Sequence, residues 1–141
     1  MREWEPELVP ELSVTELEAS LVFWRDLIGF RVRYRRAAEG FAYLELARSH
    51  LMLDQIGLGR TWRTGALERP LGRGLNLQVS VDSLDPALQR LANAQWPLFS
   101  EPEQKWYRVG SADRGVNQVV VQDPDGYLLR LQTSLGRRSA R

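Results

Sequence analysis

The sequence predicts an α+β fold in which two tandem β-α-β-β-β modules form a curved, mixed-sheet groove. The first observation is that strand and helix patterns recur in the same order in both halves of the 141-residue chain. The second is that residues 13–17 (SVTEL) resemble residues 80–84 (SVDSL), each at a change from strand to helix spacing. The third is a tight turn at residues 123–126 (DPDG) between two alternating strands. An internal duplication explains the repeated order, because each module alone would be incomplete.

The first module is assigned to residues 7–57. A short strand over residues 9–14 leads into a helix over residues 16–28, where apolar residues recur at helical spacing. Thr15 and Glu18 have the spacing of a capping box, in which each side chain bonds the backbone N–H of the other residue. Alternation of apolar and polar residues predicts three further strands, at residues 30–34, 41–46 and 51–55.

Residues 58–73 separate the two modules and show no periodicity. Glycine, proline and arginine dominate this stretch, and Trp62 lies within it. A stretch of this length without secondary structure is usually functional or disordered in a compact domain. We therefore expect a linker or a lid here.

The second module is assigned to residues 74–135. It opens with an alternating strand over residues 75–81, and Asp85 is the predicted N-cap of the helix that follows. Residues 99–103 are predicted to be extended, whereas residues 105–115 lack a clear pattern and are expected to be irregular. The last two strands complete the same element order as in the first module.

The turn between the last two strands has a clear physical basis. Asp123 can accept a hydrogen bond from the backbone two residues on, Pro124 presets φ, and Gly126 tolerates a positive φ. The flanking strands alternate between an apolar and a polar face. The apolar set is Val119, Val121, Leu129 and Leu131, and the polar set is Gln118, Gln122, Arg130 and Gln132.

Charge and composition exclude several classes of function. The formal net charge is +1, whereas nucleic acids and acidic membrane surfaces are bound through clustered basic patches. The one strongly basic stretch, residues 136–141, is predicted to be a disordered tail. No nucleic-acid or membrane partner is therefore expected. Because no signal-like or membrane-spanning apolar run occurs, we expect a soluble cytoplasmic protein.

Cysteine and histidine usage limits the chemistry further. The chain has no cysteine, which excludes disulfides, thiol catalysis and thiolate metal sites. Its one histidine, His50, also excludes a metal site built from several histidines of a single chain.

With the repeated element order, three motifs make this sequence resemble a known superfamily. They are residues 9–17 (VPELSVTEL), residues 23–30 (FWRDLIGF) and residues 123–127 (DPDGY). From about Leu8 to Leu135 the chain resembles the vicinal oxygen chelate superfamily, which includes glyoxalases, bleomycin resistance proteins and extradiol dioxygenases. The resemblance implies the glyoxalase/bleomycin resistance fold and is closest to the bleomycin resistance branch.

The resemblance also bears on metal binding. Enzymes of that superfamily hold a divalent metal through His and Glu side chains, one from each of four inner strands. In this sequence those positions fall on Val9, Asp54, Asn76 and Arg130. Only Asp54 could still act as a ligand, because valine has no donor atom and arginine is always cationic. The resemblance therefore implies no metal and no other cofactor, and it favours a protein that is not an enzyme over a metal-dependent enzyme.

Polar side chains on the face away from the core point instead to a binding groove. The alternative is that they form the solvated side of an antiparallel sheet. Aromatic residues expected on loops favour a flat, cationic, heteroaromatic ligand, which they could hold by stacking and cation–π attraction. The candidate ligand-binding residues are Glu11, Tyr43, Asp54, Trp62, Asn76, Gln78, Trp106, Tyr107, Gln118 and Arg130.

Bleomycin resistance proteins sequester the drug as dimers. The resemblance thus implies a homodimer that sequesters a bleomycin-like or related aromatic compound and so confers antibiotic resistance. The best-known members have a strongly acidic groove, from which the near-neutral charge and Arg130 of this chain depart.

The alternative is a metal-dependent lyase, isomerase or dioxygenase whose ligands lie in a shifted register. A one-residue shift would drive buried leucines such as Leu51 into the groove. The candidate donors are then His50, Glu11, Glu45 and Asp54.

Overall fold

The fold is α+β, as predicted, with one four-stranded mixed sheet in each of two units. A computed structural model of the chain describes residues 4–60 and 62–140. The first unit takes in the described residues up to Leu71 together with Asp123–Asp125, and the second takes in Gly72–Gln122 and the described residues from Gly126 onward. Three parts of our sequence-based assignments lie outside the described residues, namely residues 1–3, Thr61 in the linker and Arg141 in the tail.

The first sheet has the strand order β1-β4-β3-β2. β1 runs parallel to β4, and the other neighbours are antiparallel. The strands agree with those predicted for the first module, with ends that differ by a residue or two. They are β1 (Glu11–Val14), β2 (Arg31–Arg36), β3 (Phe41–Leu46) and β4 (Ser49–Gln55).

The first helix begins as α1 (Leu17–Leu21) and continues as a π-helical segment, Val22–Ile28. The backbone N–H of Gly29 bonds the carbonyl of Trp24, five residues earlier, at 3.2 Å. Gly29 has a φ of 110°, a left-handed conformation that ends the helix at low steric cost. The predicted apolar stripe is buried and consists of Leu17, Leu21, Trp24 and Ile28.

The predicted capping box is wrong. The N-cap residue is Glu16, which makes no side-chain capping bond, and the N–H of Leu17 donates to Gln55 Oε1 at 2.9 Å. Thr15 instead donates to the carboxylate of Asp125, through its N–H at 3.1 Å and its hydroxyl at 2.5 Å. In a capping box the Thr15 N–H would donate to the Glu18 carboxylate, whereas here the carboxylate of Asp125 accepts from both the N–H and the hydroxyl of Thr15.

The turn motif explains why the first unit includes Asp123–Asp125. The N–H of Asp125 donates to Asp123 Oδ1 at 2.9 Å, which confirms the predicted two-residue bond. Asp123 Oδ2 accepts the indole N–H of Trp24 at 3.1 Å. Asp125 accepts from Thr15 and also from Arg69, at 3.0 Å, while its carbonyl accepts the N–H of Leu71. Both carboxylates are buried and serve the packing of this unit.

The second sheet has the strand order β5-β8-β7-β6, with β5 parallel to β8. Its buried residues include the predicted apolar set of the last two strands. The helix begins at Asp85, one residue after its N-cap Leu84, rather than after an Asp85 cap. The elements are β5 (Asn76–Ser80), α2 (Asp85–Asn93), β6 (Leu98–Val109), β7 (Ala112–Gln122) and β8 (Leu128–Ser139).

Two expectations for the second module are wrong. The segment expected to be irregular forms a hairpin, in which β6 and β7 remain paired out to Val109 and Ala112. The tail expected to be disordered continues β8 to Ser139, paired with β7. Charged residues occupy both faces of these strand ends, so alternation is invisible in the sequence, and cross-strand pairs stabilise them instead. Two of these pairs join Arg108 and Arg138 to the same acid, Asp113, at 3.1 Å and 3.7 Å.

The described part of 58–73 contains no helix or strand. A short 3₁₀ turn, Ala37–Glu39, lies between β2 and β3. Across residues 4–60 and 62–140, no helix is long and apolar enough to cross a membrane.

Candidate functional site

A cavity of about 410 Å³ lies on the first sheet, on the face that alternates with the buried Leu12 and Leu53. It is bounded by the end of β2, the start of β3, the strands β1 and β4, and the segment after β4. The residues with which a ligand could interact most strongly are Glu11, Arg36, Phe41, Asp54, Arg60 and Trp62.

Two carboxylates form the acidic part of this cavity. Asp54 is only 6% exposed, and this burial raises the pKa of its carboxyl group. The positive charge of Arg36 partly opposes the increase. Burial also raises the pKa of Glu11, and the negative charge of Asp54 raises it further. A cation bound between them would relieve this repulsion and lower both pKa values.

Aromatic rings line the same cavity, but arginines of the chain already approach them. Trp62 is 79% exposed, and the Arg60 guanidinium lies 5.1 Å from its ring centroid. The Arg36 guanidinium lies 3.9 Å from the centroid of the Phe41 ring. A planar ligand therefore has the exposed Trp62 ring available for stacking, in competition with Arg60.

Tyr43 does not line this cavity. It is only 3% exposed, stacks on Tyr34 with ring centroids 5.1 Å apart, and places its hydroxyl 2.7 Å from His50 Nδ1. The Trp4 ring packs edge-on against His50 at 5.2 Å. Burial, followed by the charge of Arg33, lowers the pKa of His50 and favours the neutral ring. Tyr43 and His50 thus form a buried polar pair within the first unit, flanked by the more exposed rings of Tyr34 and Trp4.

A second cavity, of about 450 Å³, lies on the second sheet, on the face that alternates with the buried Leu129 and Leu131. The register places Gln78 opposite Arg130 and Tyr107 opposite Arg114. Its polar lining includes Gln78, Ser80, Tyr107, Arg114, Arg130 and Gln132.

Gln118 lies behind Tyr107 and helps to position it. Its amide nitrogen is 3.0 Å from the Tyr107 hydroxyl and 3.0 Å from Glu103 Oε1, and the residue is only 6% exposed. Asn76 lies on the same sheet face, opposite Leu128, but does not line the cavity. Of the candidates predicted in the second unit, the structure thus brings Gln78, Tyr107 and Arg130 together.

Trp106 lies on the opposite face of β6 from Tyr107, because successive residues of a strand alternate. Its ring packs where a Cβ on Gly115 would be, with the nearest ring atom 2.7 Å from that position. The Arg138 guanidinium lies 4.0 Å from the ring centroid. The expectation that Trp106 and Tyr107 lie on a loop is wrong, and Trp106 does not line this cavity.

Several cavity residues were not among the predicted candidates. Arg114 was missed because its segment was expected to be irregular, which hid its place on the face of Tyr107. Gln132 was placed on the polar face by its alternation but was not selected. Other lining residues that were missed include Arg36, Phe41, Arg60 and Ser80.

Both halves of the chain have the order of one strand, one helix and three strands, with polar groups on one face of each sheet. This repeated order defines the vicinal oxygen chelate class of proteins. The chain belongs to the family described as the Glyoxalase/Bleomycin resistance protein/Dioxygenase superfamily, whose profile matches residues 8–131. No curated protein matches the sequence.

Solved structures with this fold are similar along nearly the whole chain. TioX from Micromonospora sp. ML1 is 22% identical with a TM-score of 0.69, over 92% of this chain and 99% of that one. An integron cassette protein from V. cholerae is 19% identical with a TM-score of 0.66, over 94% and 98%. Lactoylglutathione lyase from Agrobacterium tumefaciens is 18% identical with a TM-score of 0.56, over 91% and 94%. At these identities the similarity concerns the fold.

The side chains at the family's metal positions do not fit a divalent ion. Arg130 brings a permanent positive charge to the face of β8, beside Gln78, and a guanidinium offers no lone pair to a metal. Within residues 4–60 and 62–140, no three His, Cys, Asp or Glu side chains gather in a metal-binding arrangement.

Proposed function

We propose that this chain is a non-catalytic binding protein that sequesters a small polar aromatic compound, such as bleomycin or a related antibiotic. The observation that carries the proposal is Arg130, which lines the cavity of the second sheet at a position where the family's enzymes hold a metal ligand. A guanidinium there repels a cation but donates hydrogen bonds to a ligand.

The first unit supports the same proposal independently. Its cavity combines the acidic pair Glu11 and Asp54 with the exposed ring of Trp62. A carboxylate pair favours a cationic group, and an exposed indole favours a planar one. Cavities of about 410 Å³ and 450 Å³ also fall in the range of small-molecule sites.

Tryptophan fluorescence during titration with bleomycin tests the proposal. We expect quenching and a higher melting temperature on binding, because a ligand that binds only the folded state stabilises it. Trp62→Ala should weaken binding by about 1–3 kcal/mol, since a stacked aromatic contact is lost. Trp106→Ala removes an indole that lines neither cavity, and it is the control. Because Trp106 packs on Gly115, its variant is first shown to be folded by circular dichroism, and it should then bind as the parent does.

Equal binding by the Trp62→Ala variant and the parent would remove the aromatic contact from the proposal. Elemental analysis distinguishes the enzyme alternative. About one tightly bound ion per purified chain would favour a metal-dependent lyase, isomerase or dioxygenase and overturn the binding-protein proposal.

A further inference from the structure

The cavity of the second sheet is electrostatically one-sided. Two arginines, Arg114 and Arg130, line it, and none of the described lining residues is acidic. Neither arginine forms an ion pair with any acidic side chain in the described ranges. Arg108 and Arg138, by contrast, both reach the carboxylate of Asp113. Two unneutralised guanidinium groups in one cavity create a positive potential there.

Arg130 also has an unmet hydrogen-bonding requirement. It lies between Gln78 on β5 and Val120 on β7, and its Nε is buried without a hydrogen-bond partner. Leaving a buried N–H donor without an acceptor costs free energy. A ligand that supplies an acceptor to Arg130 Nε would therefore be bound more tightly. The planar fork of a guanidinium matches the two oxygens of a carboxylate or phosphate.

Neutral donors surround the two charges. The Tyr107 hydroxyl accepts a hydrogen bond from Gln118 at 3.0 Å, which leaves its own proton to be donated into the cavity. Gln132 Nε2 lies 3.2 Å from Ser80 Oγ, which orients a hydroxyl on the same wall. Glu103 lies on the same strand face as Tyr107 but is bonded to Gln118 and does not line the cavity. The polar lining is thus dominated by donors.

We propose that this cavity binds the anionic oxygens of a ligand, a carboxylate or a phosphate, through Arg130 and Arg114. The inference rests on the proposed function in that it takes this cavity as a ligand site, and it adds the chemical class of the group bound there. The side chains of Tyr107 and Ser80 complete the contacts to the remaining oxygens.

Calorimetric titration with small aromatic probes at low ionic strength tests the inference. Benzoate and phenyl phosphate carry the two anionic groups, and benzyl alcohol is a neutral molecule of similar size. We expect at least one anion to bind the parent about tenfold or more tightly than benzyl alcohol. The tighter of the two anions identifies the group as carboxylate or phosphate. Equal binding of all three probes, or no binding of either anion, would overturn the inference.

Variants locate the binding in this cavity. Arg130→Gln should weaken the anion by about tenfold or more, and Arg130→Lys should lose part of the affinity because charge is retained without the planar fork. Arg108→Gln is the matched control: it removes one positive charge from the opposite face of β6 and should leave affinity unchanged. If the Arg130 variants fail to fold, Arg114→Gln at an exposed position of β7 makes the same test. Parent-like affinity in the variants that fold contradicts the inference.

The inference and the proposed function can fail separately. If anion binding depends on Arg130 but bleomycin gives no response, the proposed bleomycin-like ligand is wrong and the anion site stands. If the bleomycin response depends on Trp62 while Arg130→Gln binds benzoate and phenyl phosphate as the parent does, the anion site is wrong and the proposed function stands.

Discussion

Asp54 lies at a place where burial disfavours the charged form of its carboxyl group. Burial raises its pKa above the ordinary value of 3.8, Arg36 partly offsets this, and Glu39 adds to it. Neighbouring Glu11 has a raised pKa for the same first reason. A raised pKa means that the folded protein binds the proton more tightly than the unfolded chain does. The contribution of Asp54 to the free energy of unfolding is therefore present at low pH, and it is lost as pH rises through the raised pKa.

We expect Asp54→Asn to stabilise the folded protein at neutral pH relative to the parent. The difference should disappear as pH falls below 3.8, because the parent side chain is then also uncharged. Urea unfolding at several pH values measures both results. Asp82→Asn, which removes a charge from an exposed bend, is the control for the change in net charge and should leave the stability close to that of the parent. The Asp54 variant should also bind a cationic ligand less tightly while binding of a neutral one changes little.

At the scale of elements, the hairpin of β6 and β7 depends on a cross-strand pair. Trp106 lies opposite Gly115, and its ring occupies the space that a Cβ would need. The Arg138 guanidinium near the ring comes from β8, in the segment expected to be a disordered tail. The Trp106 ring thus contacts residues of β7 and β8 as well as belonging to β6. It joins three strand ends in which apolar and polar residues do not alternate.

Gly115→Ala should destabilise the second unit by about 1–3 kcal/mol, because the new Cβ would lie 2.7 Å from the Trp106 ring. Chemical unfolding of Gly115→Ala, Trp106→Ala and the double variant forms a mutant cycle. In the Trp106→Ala background the added Cβ meets no ring, so Gly115→Ala should cost much less there. An equal cost in both backgrounds would show that the ring contact does not matter.

At the scale of the whole molecule, the outermost strands of each sheet pair with a neighbour on one side only within residues 4–60 and 62–140. These are β1 and β2 in the first sheet, and β5 and β6 in the second. Open edges expose backbone donors and acceptors, which proteins cover or satisfy by association. We propose that two copies of the chain form a two-fold dimer, as the resemblance to bleomycin resistance proteins implies.

Static light scattering coupled to size exclusion measures this directly. We expect twice the chain mass at micromolar concentration, with little change at higher salt if the interface is mainly apolar. The mass of a single chain at that concentration would rule out a ligand site shared between two copies.

Local patterns accounted for much of the fold. The alternation of Val119 and Val121 with polar residues predicted both the β7 strand and its buried face, and the spacing of Leu17 and Trp24 predicted the first helix. The bond between Asp123 and the backbone of Asp125 followed from residue types alone. These features depend on interactions between residues close in the chain or on burial of one face, and so they are visible in the order of residues.

The candidate site was only partly predictable from the sequence. Alternation identified the sheet faces on which Glu11, Asp54, Gln78 and Arg130 lie, and the structure places these residues in cavities. It could not identify Arg114, because a strand held by cross-strand pairs carries no apolar period.

The sequence by itself determined the duplicated element order, the buried faces of the strands and the position of the final turn. Only the tertiary structure decided that Thr15 bonds Asp125, 110 residues away, and that Trp106 packs on Gly115 instead of lining a cavity. It also decided that Tyr43 is enclosed with His50, while Tyr107 lines the cavity that contains Arg130. The physical reason is that such contacts depend on which strands become neighbours and in what register, which no local pattern encodes.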